Sequence, residues 1–182
     1  MKLVYMCNTF QAHERRATPS IVPLSMARNI CITSAEGNTG YLIAELLLTD
    51  PGFKAQVGTV TGLALNPDAQ KCKDLAKLGA KIVAHKYGKV RDVVHTLQTT
   101  KADTICLIPP AHGDKMDITV ELIEAAKRAN VPNTCLISAA GCDLAERIAQ
   151  PRLREFIDLE SLFMKTKGDP TTAAGHSPVI IR

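Results

Sequence analysis

The sequence has no long apolar run, no closely spaced cysteines and no strong excess of one charge. No stretch approaches the roughly 18 apolar residues of a membrane-spanning helix, so we expect a soluble protein. The six cysteines are scattered, without a C-x-x-C pair or a histidine cluster at metal-ligand spacing. We therefore expect buried thiols rather than a metal site or disulfides, and a reducing, cytoplasmic compartment. The net charge of +4 at pH 7 is small and dispersed, which argues against direct binding of nucleic acid.

A glycine turn is the most informative feature that the sequence does contain. Residues 33–40 read T-S-A-E-G-N-T-G and separate a short apolar run from a helical apolar pattern that begins at Tyr41. Gly37 and Gly40 leave room for a pyrophosphate to approach the backbone at the start of a helix. Ser34 stands where the pattern T-G-x-x-G-x-x-G has its first glycine. The turn predicts a dinucleotide-binding site, with a purely structural glycine turn as the alternative.

Strand-like and helix-like segments alternate along the rest of the chain. Helix signals include Pro51 and Gly52 as terminators, Asn66 and Pro67 as a helix start, and Gly79 as a left-handed helix end. Near-continuous apolar strands between helices predict an α/β fold, a doubly wound parallel sheet (Rossmann) with helices on both faces. Strands are predicted at 29–33, within 56–65, and at 80–84, 103–108, 133–138 and 178–181; helices follow at 41–48, 66–78, 90–99, 114–129 and 151–167.

Ligands of such sheets bind at the carboxyl ends of the strands. Leu65 and His85 are predicted to lie along this edge together with the turn. The prolines after the fourth strand have a simpler explanation as strand terminators, and Ser138 as a loop cap. The residues predicted to hold the cofactor are Ser34, Gly37, Asn38, Thr39, Gly40, Asn66, Pro109, Pro110 and Ser138.

Several segments together resemble the NmrA-like branch of the atypical short-chain dehydrogenases. The resemblance extends over residues 29–182. It rests on the glycine turn with Asn38, on Leu65-Asn66-Pro67, on G-A-K-I-V at 79–83 and on I-E-A-A-K-R-A-N-V at 123–131.

The resemblance implies an NAD(P)-binding Rossmann domain at 29–182, preceded by an N-terminal extension at 1–28. The substrate domain that follows in relatives is expected to be absent. The cofactor is expected to be NADP or NAD. Two functions stay open: a redox sensor or regulatory module with a protein partner, and an oxidoreductase acting on a quinone or small carbonyl compound. A homodimer is a further expectation.

Four departures from the family bear on chemistry, and the first is Ser34, which replaces the first glycine and can shift the turn and weaken the pyrophosphate contact. Leu65 replaces the arginine that NADP-binding members usually carry, although Lys71 or Lys73 can reach a 2′-phosphate. His85-Lys86 replaces Gly-Asp, and Phe156 replaces a lysine near the active centre. No Tyr-x-x-x-Lys pair occurs in the chain, so the catalytic residues are unknown. Possible proton donors lie in loops, namely His112, Asp143 and His176.

The N-terminal residues 1–27 have no sustained periodicity. A targeting peptide and an upstream extension both fit, and the extension is favoured because residues 26–30 would themselves make a natural start.

Overall fold

The computed structural model describes residues 27–166 and 177–182. The predicted alternation of strands and helices is confirmed. The elements are β1 (Arg28–Thr33), α1 (Asn38–Thr49), α2 (Pro51–Lys54), β2 (Val57–Ala64), α3 (Gln70–Lys77), β3 (Lys81–Ala84), α4 (Val90–Thr99), β4 (Thr104–Leu107), α5 (Lys115–Arg128), β5 (Asn133–Ile137), α6 (Pro151–Met164) and β6 (Ser177–Ile181).

Within the described residues the strands form one six-stranded sheet in the order β3-β2-β1-β4-β5-β6. Every neighbouring pair is parallel. The order reverses between β1 and β4, and such a switch point leaves a crevice at the carboxyl ends of the strands. The predicted doubly wound fold is therefore confirmed.

The two faces of the sheet carry separate apolar cores, because successive side chains of a strand point to opposite faces. In β4, Ile105 and Leu107 pack into one core, which α4, α5 and α6 cover. Cys106 and Ile108 pack into the other core, which α1 and α3 cover. Helices thus lie on both faces of the sheet.

Two local predictions need correction. Pro51 and Gly52 were predicted only to end the preceding helix. Instead, the short helix α2 begins at Pro51. The Asp50 side chain accepts hydrogen bonds from the N–H groups of Gly52 and Phe53 at 2.8 and 3.2 Å. Pro51 fits the first position of α2, because its missing N–H would be unpaired there in any case.

Asn66 does not cap α3, whose N-cap is Ala69. Instead the Asn66 carbonyl accepts the N–H of Ala69 at 3.2 Å in a turn before the helix. The predicted end of α3 is confirmed, since Gly79 follows the helix with φ +105°, a conformation that glycine adopts at low cost.

The predicted extension at 1–28 lies almost wholly outside the described residues, as do His176 and the end of the predicted 151–167 helix. Among the helices that the structure describes, none combines the length and hydropathy required to cross a lipid bilayer.

Candidate functional site

The turn between β1 and α1 is built around a left-handed serine. Ser34 has φ +51°, which costs a non-glycine residue about 1 kcal/mol. Its hydroxyl donates to the Ile108 carbonyl at 2.7 Å, and Thr33 Oγ1 accepts the Ile108 N–H at 2.7 Å. The serine therefore preserves the glycine-like turn, and these bonds fasten the carboxyl end of β1 to that of β4.

Gly40 and Gly37 are restricted to different degrees. A Cβ at Gly40 would lie 2.3 Å from the Ser34 carbonyl oxygen, whereas a Cβ at Gly37 would lie 3.2 Å from the same atom. Only the first distance is impossible without moving backbone. Gly40 is thus required for the turn to close, whereas a Cβ at Gly37 would require a shift of only a few tenths of an ångström.

The first turn of α1 presents unpaired backbone donors. Gly37 uses its N–H within the turn, bonding the Ser34 carbonyl at 2.9 Å. The N–H groups of Asn38, Thr39 and Gly40 have no acceptor among the described residues. None of the described side chains caps the helix, and no acidic residue lies in its first turn. Such a helix start is suited to an anion, since the helix dipole adds partial positive charge.

A lysine adds a full positive charge beside this turn. The Lys71 ammonium, from α3, donates a hydrogen bond to Asn38 Oδ1. It also lies 6.0 Å from the centre of the Tyr41 ring. The sequence placed Lys71 near the adenosine end of a cofactor, and the structure brings it to the start of α1.

A carboxylate that the sequence analysis missed lies at the end of β2. Glu36 Oε1 accepts the N–H of Leu65 at 2.9 Å, while Glu36 Oε2 is buried without a hydrogen-bond partner among the described residues. Burial, and then the negative charge of Glu36, raises the pKa of the nearby Cys72 thiol. Glu36 is the only acid in residues 33–40, which is the signal that could have identified it.

His85 lies at the end of β3, as predicted, but its side chain is only 3% exposed. Its Nε2 lies 3.6 Å from Glu121 Oε1 of α5. The other oxygen of Glu121 accepts the N–H of Gly88 at 2.7 Å. The bond from Gly88 to Glu121 ties the loop after β3 to α5.

A cleft of about 400 Å³ opens beyond the end of β4. Its floor is the predicted pair Pro109-Pro110, and α5 and α6 form its walls. The lining residues are Pro109, Pro110, Ala111, His112, Lys115, Arg152, Leu153 and Phe156.

Lys115 joins the two walls of this cleft. Its buried ammonium donates to the Arg152 carbonyl at 2.5 Å and lies 2.9 Å from Glu155 Oε2. It also lies 4.2 Å from the centre of the Phe156 ring. A lysine from α5 thus reaches Phe156, the residue that the resemblance places where many relatives have a lysine, but its ammonium is already occupied by protein groups.

The three candidate proton donors are not brought together. The His112 side chain is half exposed, and its Nδ1 accepts the Asp114 N–H at 3.2 Å, which in the neutral ring leaves the proton on Nε2. Asp143 Oδ1 lies 3.6 Å from the Arg182 guanidinium. His176 lies outside the described residues.

Ser138, at the end of β5, belongs to a closed polar network. Its hydroxyl donates to Glu160 Oε1 at 2.5 Å, and the Cys142 thiol lies 3.5 Å from the same oxygen. Arg182 binds both carboxylate oxygens, at 2.9 and 2.6 Å. The Arg182 hydrogen bonds, followed by that of Ser138, hold the pKa of Glu160 below its ordinary range despite burial. With its proton donated to Glu160, the Ser138 hydroxyl can offer a ligand only an acceptor.

The predicted site residues therefore fall into two groups along one edge. The turn residues and Asn66 lie on the β1–β3 side, whereas the prolines and Ser138 lie on the β4–β6 side. No cluster of three or more potential metal ligands occurs within residues 27–166 and 177–182.

Comparison with known proteins gives structural neighbours only. No protein-family model matches the chain, and no curated protein matches it. The chain is similar to the NADPH-dependent quinone oxidoreductase of Escherichia coli, solved with NADPH, at 25% identity and a TM-score of 0.60. That match covers 75% of this chain and 45% of the enzyme.

Two further reductases show the same fold at lower identity. The Citrobacter sp. triphenylmethane reductase complexed with NADP(H) is 19% identical with a TM-score of 0.58, over 75% of this chain and 45% of that one. The leucoanthocyanidin reductase–NADPH complex of Vitis vinifera is 18% identical with a TM-score of 0.59, over 75% and 46%. The expectation of a nicotinamide cofactor agrees with the ligands named for these structures. The chain therefore shares the fold of one part of these reductases and spans less than half of their length.

Proposed function

We propose that this chain is a nicotinamide dinucleotide-binding module of a reductase, of the NmrA-like type. The observation that carries the proposal is the set of unpaired N–H groups at Asn38, Thr39 and Gly40. They lie at the switch point between β1 and β4, where open α/β sheets bind ligands. The neighbours complexed with NADPH or NADP(H) support the same assignment.

The predicted residues would divide the work of binding. The N–H groups of the α1 start would hold the pyrophosphate, with Lys71 adding positive charge. The adenosine would extend past Asn66 at the end of β2. The nicotinamide would extend past Pro109 and Pro110 toward Ser138, because these follow the strands on the other side of the switch point. The cofactor supplies hydride chemistry when bound; the chain supplies position and charge.

For the activity of the whole protein we propose reduction of a quinone or another small carbonyl compound. The similarity to the quinone oxidoreductase supports this substrate class. His112 is the proposed proton donor, since its Nε2 has no hydrogen-bond partner among the described residues and its ring lines the cleft beside Pro109 and Pro110.

A regulatory module that senses the cofactor is the second candidate. The observation that favours it is the Ser138 hydroxyl, which donates to Glu160 rather than toward the cleft. Lys115 is likewise occupied by protein groups. A sensor needs differential binding of a partner protein with and without cofactor, and it needs no proton donor.

We further propose that residues 29–182 form the nucleotide-binding domain, with residues 1–28 as an extension of it, and that the protein acts in the cytoplasm. A homodimer remains part of the proposal.

Titration of the protein with NADH and NADPH tests the binding function. Reduced nicotinamide fluorescence is a clean signal here, because the chain has no tryptophan. We expect saturable binding in the micromolar range, on the order of −8 kcal/mol. Gly37→Val should abolish it in a protein that still melts cooperatively, since its side chain would enter the space beside the turn. No binding of either cofactor at millimolar concentration would overturn the proposal.

A steady-state turnover assay distinguishes the two candidate functions. Turnover of a quinone with NADH or NADPH at about 1 s⁻¹ or faster lies in the ordinary enzyme range and would exclude a purely regulatory role. His112→Asn should then lower turnover without changing cofactor affinity.

A further inference from the structure

Glu36 places a carboxylate where the sequence of β2 has none. In open dinucleotide-binding sheets, an acidic residue about 20 residues beyond the glycine turn, at the end of the second strand, binds the adenosine ribose. Here that position is occupied by Leu65. The Glu36 carboxylate reaches it through space, with Oε1 bonded to the Leu65 N–H at 2.9 Å.

The second carboxylate oxygen has an unused capacity. Glu36 Oε2 is buried and has no hydrogen-bond partner within the described residues, a state that costs free energy unless a donor arrives. A ribose hydroxyl is such a donor. A phosphate is not, because at neutral pH it carries a charge of about −1.5 to −2 and offers chiefly acceptor oxygens.

We infer that Glu36 is a specificity residue that selects a dinucleotide with a free adenosine 2′-hydroxyl, of the NAD class, over one with a 2′-phosphate. The inference rests on the proposed function. In its cofactor preference this chain would then differ from the quinone oxidoreductase of similar fold, which is NADPH-dependent. It also differs from a purely structural role for Glu36, because bonding Leu65 uses only one of its two oxygens.

The neighbouring cations define the competing arrangement. Lys71 donates to Asn38 at the start of α1, so we assign it to the pyrophosphate. Lys73 follows on the exposed surface of α3. If Lys71 instead held a 2′-phosphate, it would offset the repulsion from Glu36.

Calorimetric titration of the full chain with NAD and NADP measures the selectivity directly. We expect the wild type to bind NAD at least about tenfold more tightly than NADP, a ratio that corresponds to 1.4 kcal/mol. Glu36→Gln keeps an oxygen for the Leu65 N–H and removes the charge. It should reduce the ratio to about threefold or less, mainly by improving NADP binding.

Two variants serve as controls. Glu124→Gln removes the same charge from an exposed pair with Arg128 on α5 and should leave the ratio unchanged. Lys71→Met should weaken both cofactors alike.

Three results would overturn the inference while leaving the proposed function standing: a wild-type preference for NADP, a Glu36→Gln ratio unchanged from wild type, or a selective loss of NADP binding in Lys71→Met. Binding of neither cofactor would instead overturn the proposed function, and the inference with it. If Glu36→Gln fails to fold, the inference is tested by the ratio of NAD to NADP affinity in the wild type and by the variant Leu65→Arg. The added guanidinium next to Glu36 should raise NADP affinity selectively, by about tenfold.

Discussion

The β1–β3 side of the carboxyl edge holds polar groups that are left unpaired, whereas the β4–β6 side holds polar groups that are bonded to one another. On the first side, three N–H groups of α1 and one oxygen of Glu36 lack partners among the described residues. On the second, Glu160 receives bonds from Ser138, Cys142 and Arg182.

Unpaired polar groups are typical of a binding surface, whereas polar groups bonded to one another hold the fold together. Unpaired donors at an open helix start cost little in water and become useful when an anion arrives. In a closed network, the donors around a buried carboxylate already compensate its charge. Removing one member therefore leaves a buried partner without its hydrogen bond, which destabilises the fold. Substitutions on the two sides should therefore affect different measurements.

The largest expected effect is on the turn itself. Gly40→Ala places a Cβ 2.3 Å from the Ser34 carbonyl oxygen, and relief requires backbone movement in the turn. We expect a loss of about 3 kcal/mol in the free energy of unfolding, together with loss of cofactor binding. Urea denaturation measures it. Gly113→Ala is the control, because a Cβ there meets nothing within 4 Å; equal stability of the two variants would show that the turn tolerates the change.

On the bonded side, Glu160→Gln should affect stability and leave binding alone. The variant leaves Arg182 without its carboxylate, which we expect to cost about 2 kcal/mol, less than a fully buried pair because Arg182 is partly exposed. Glu124→Gln, an exposed pair, should cost about 0.5 kcal/mol or less. If Glu160→Gln folds normally but binds the cofactor more weakly, the β4–β6 side also takes part in binding, and the two sides do not differ as described.

The same residue gives a pH dependence with a definite sign. Because the pKa of Glu160 is lowered in the folded state, its ionised form stabilises the fold at pH values above the ordinary glutamate pKa of about 4.3. That contribution is lost as the pH falls below this value. The stability difference between wild type and Glu160→Gln should therefore shrink toward acid pH in melting experiments; a constant difference would contradict the assignment.

A matched pair of variants isolates the unpaired donors. Asn38→Ala removes the side chain that bonds Lys71, whereas Asn38→Pro removes the backbone N–H as well. Proline suits this first helical position, and Gly37 before it has the extended conformation that proline requires. We expect Asn38→Pro to bind NADH about tenfold more weakly than Asn38→Ala, or about 1.4 kcal/mol, at equal melting temperature. Equal affinities of the two variants would show that the Asn38 N–H does not bind the cofactor.

The smallest effect is expected at Ser138. Ser138→Ala deletes one hydrogen bond to Glu160 and should cost about 1 kcal/mol of stability. Cofactor affinity should change by less than about threefold, or 0.65 kcal/mol. A tenfold loss of affinity would instead show that the Ser138 hydroxyl binds the cofactor directly, as the sequence predicts.

The sequence predicted the fold because its signals are local. Apolar runs, Gly79 after α3 and the glycine turn each act within a few residues, and each was found where it was expected. The errors at Pro51 and Asn66 were also local: both residues are used by turns and helix starts alike, so the choice depended on which neighbouring N–H groups needed an acceptor.

The missed parts of the site depend on contacts between distant residues. Glu36 meets Leu65 across 29 positions, and Glu160 meets Arg182 across 22. Neither sequence separation is one at which a single helix or strand brings two side chains together. Only the order of strands brings these side chains together, so their chemistry could be recognised only in the folded sheet.

The bond between Ser34 and Ile108 also bears on how the protein is made. It joins positions 74 residues apart, whereas β1 meets β2 about 30 residues along the chain. During synthesis from the N-terminus, β1, α1 and β2 can therefore assemble first, and contacts of such long range form late because loop closure is costly. The nucleotide crevice acquires its second wall only when β4 has left the ribosome. Cofactor can stabilise the domain by mass action only from that point onward, and it cannot guide the earlier steps of folding.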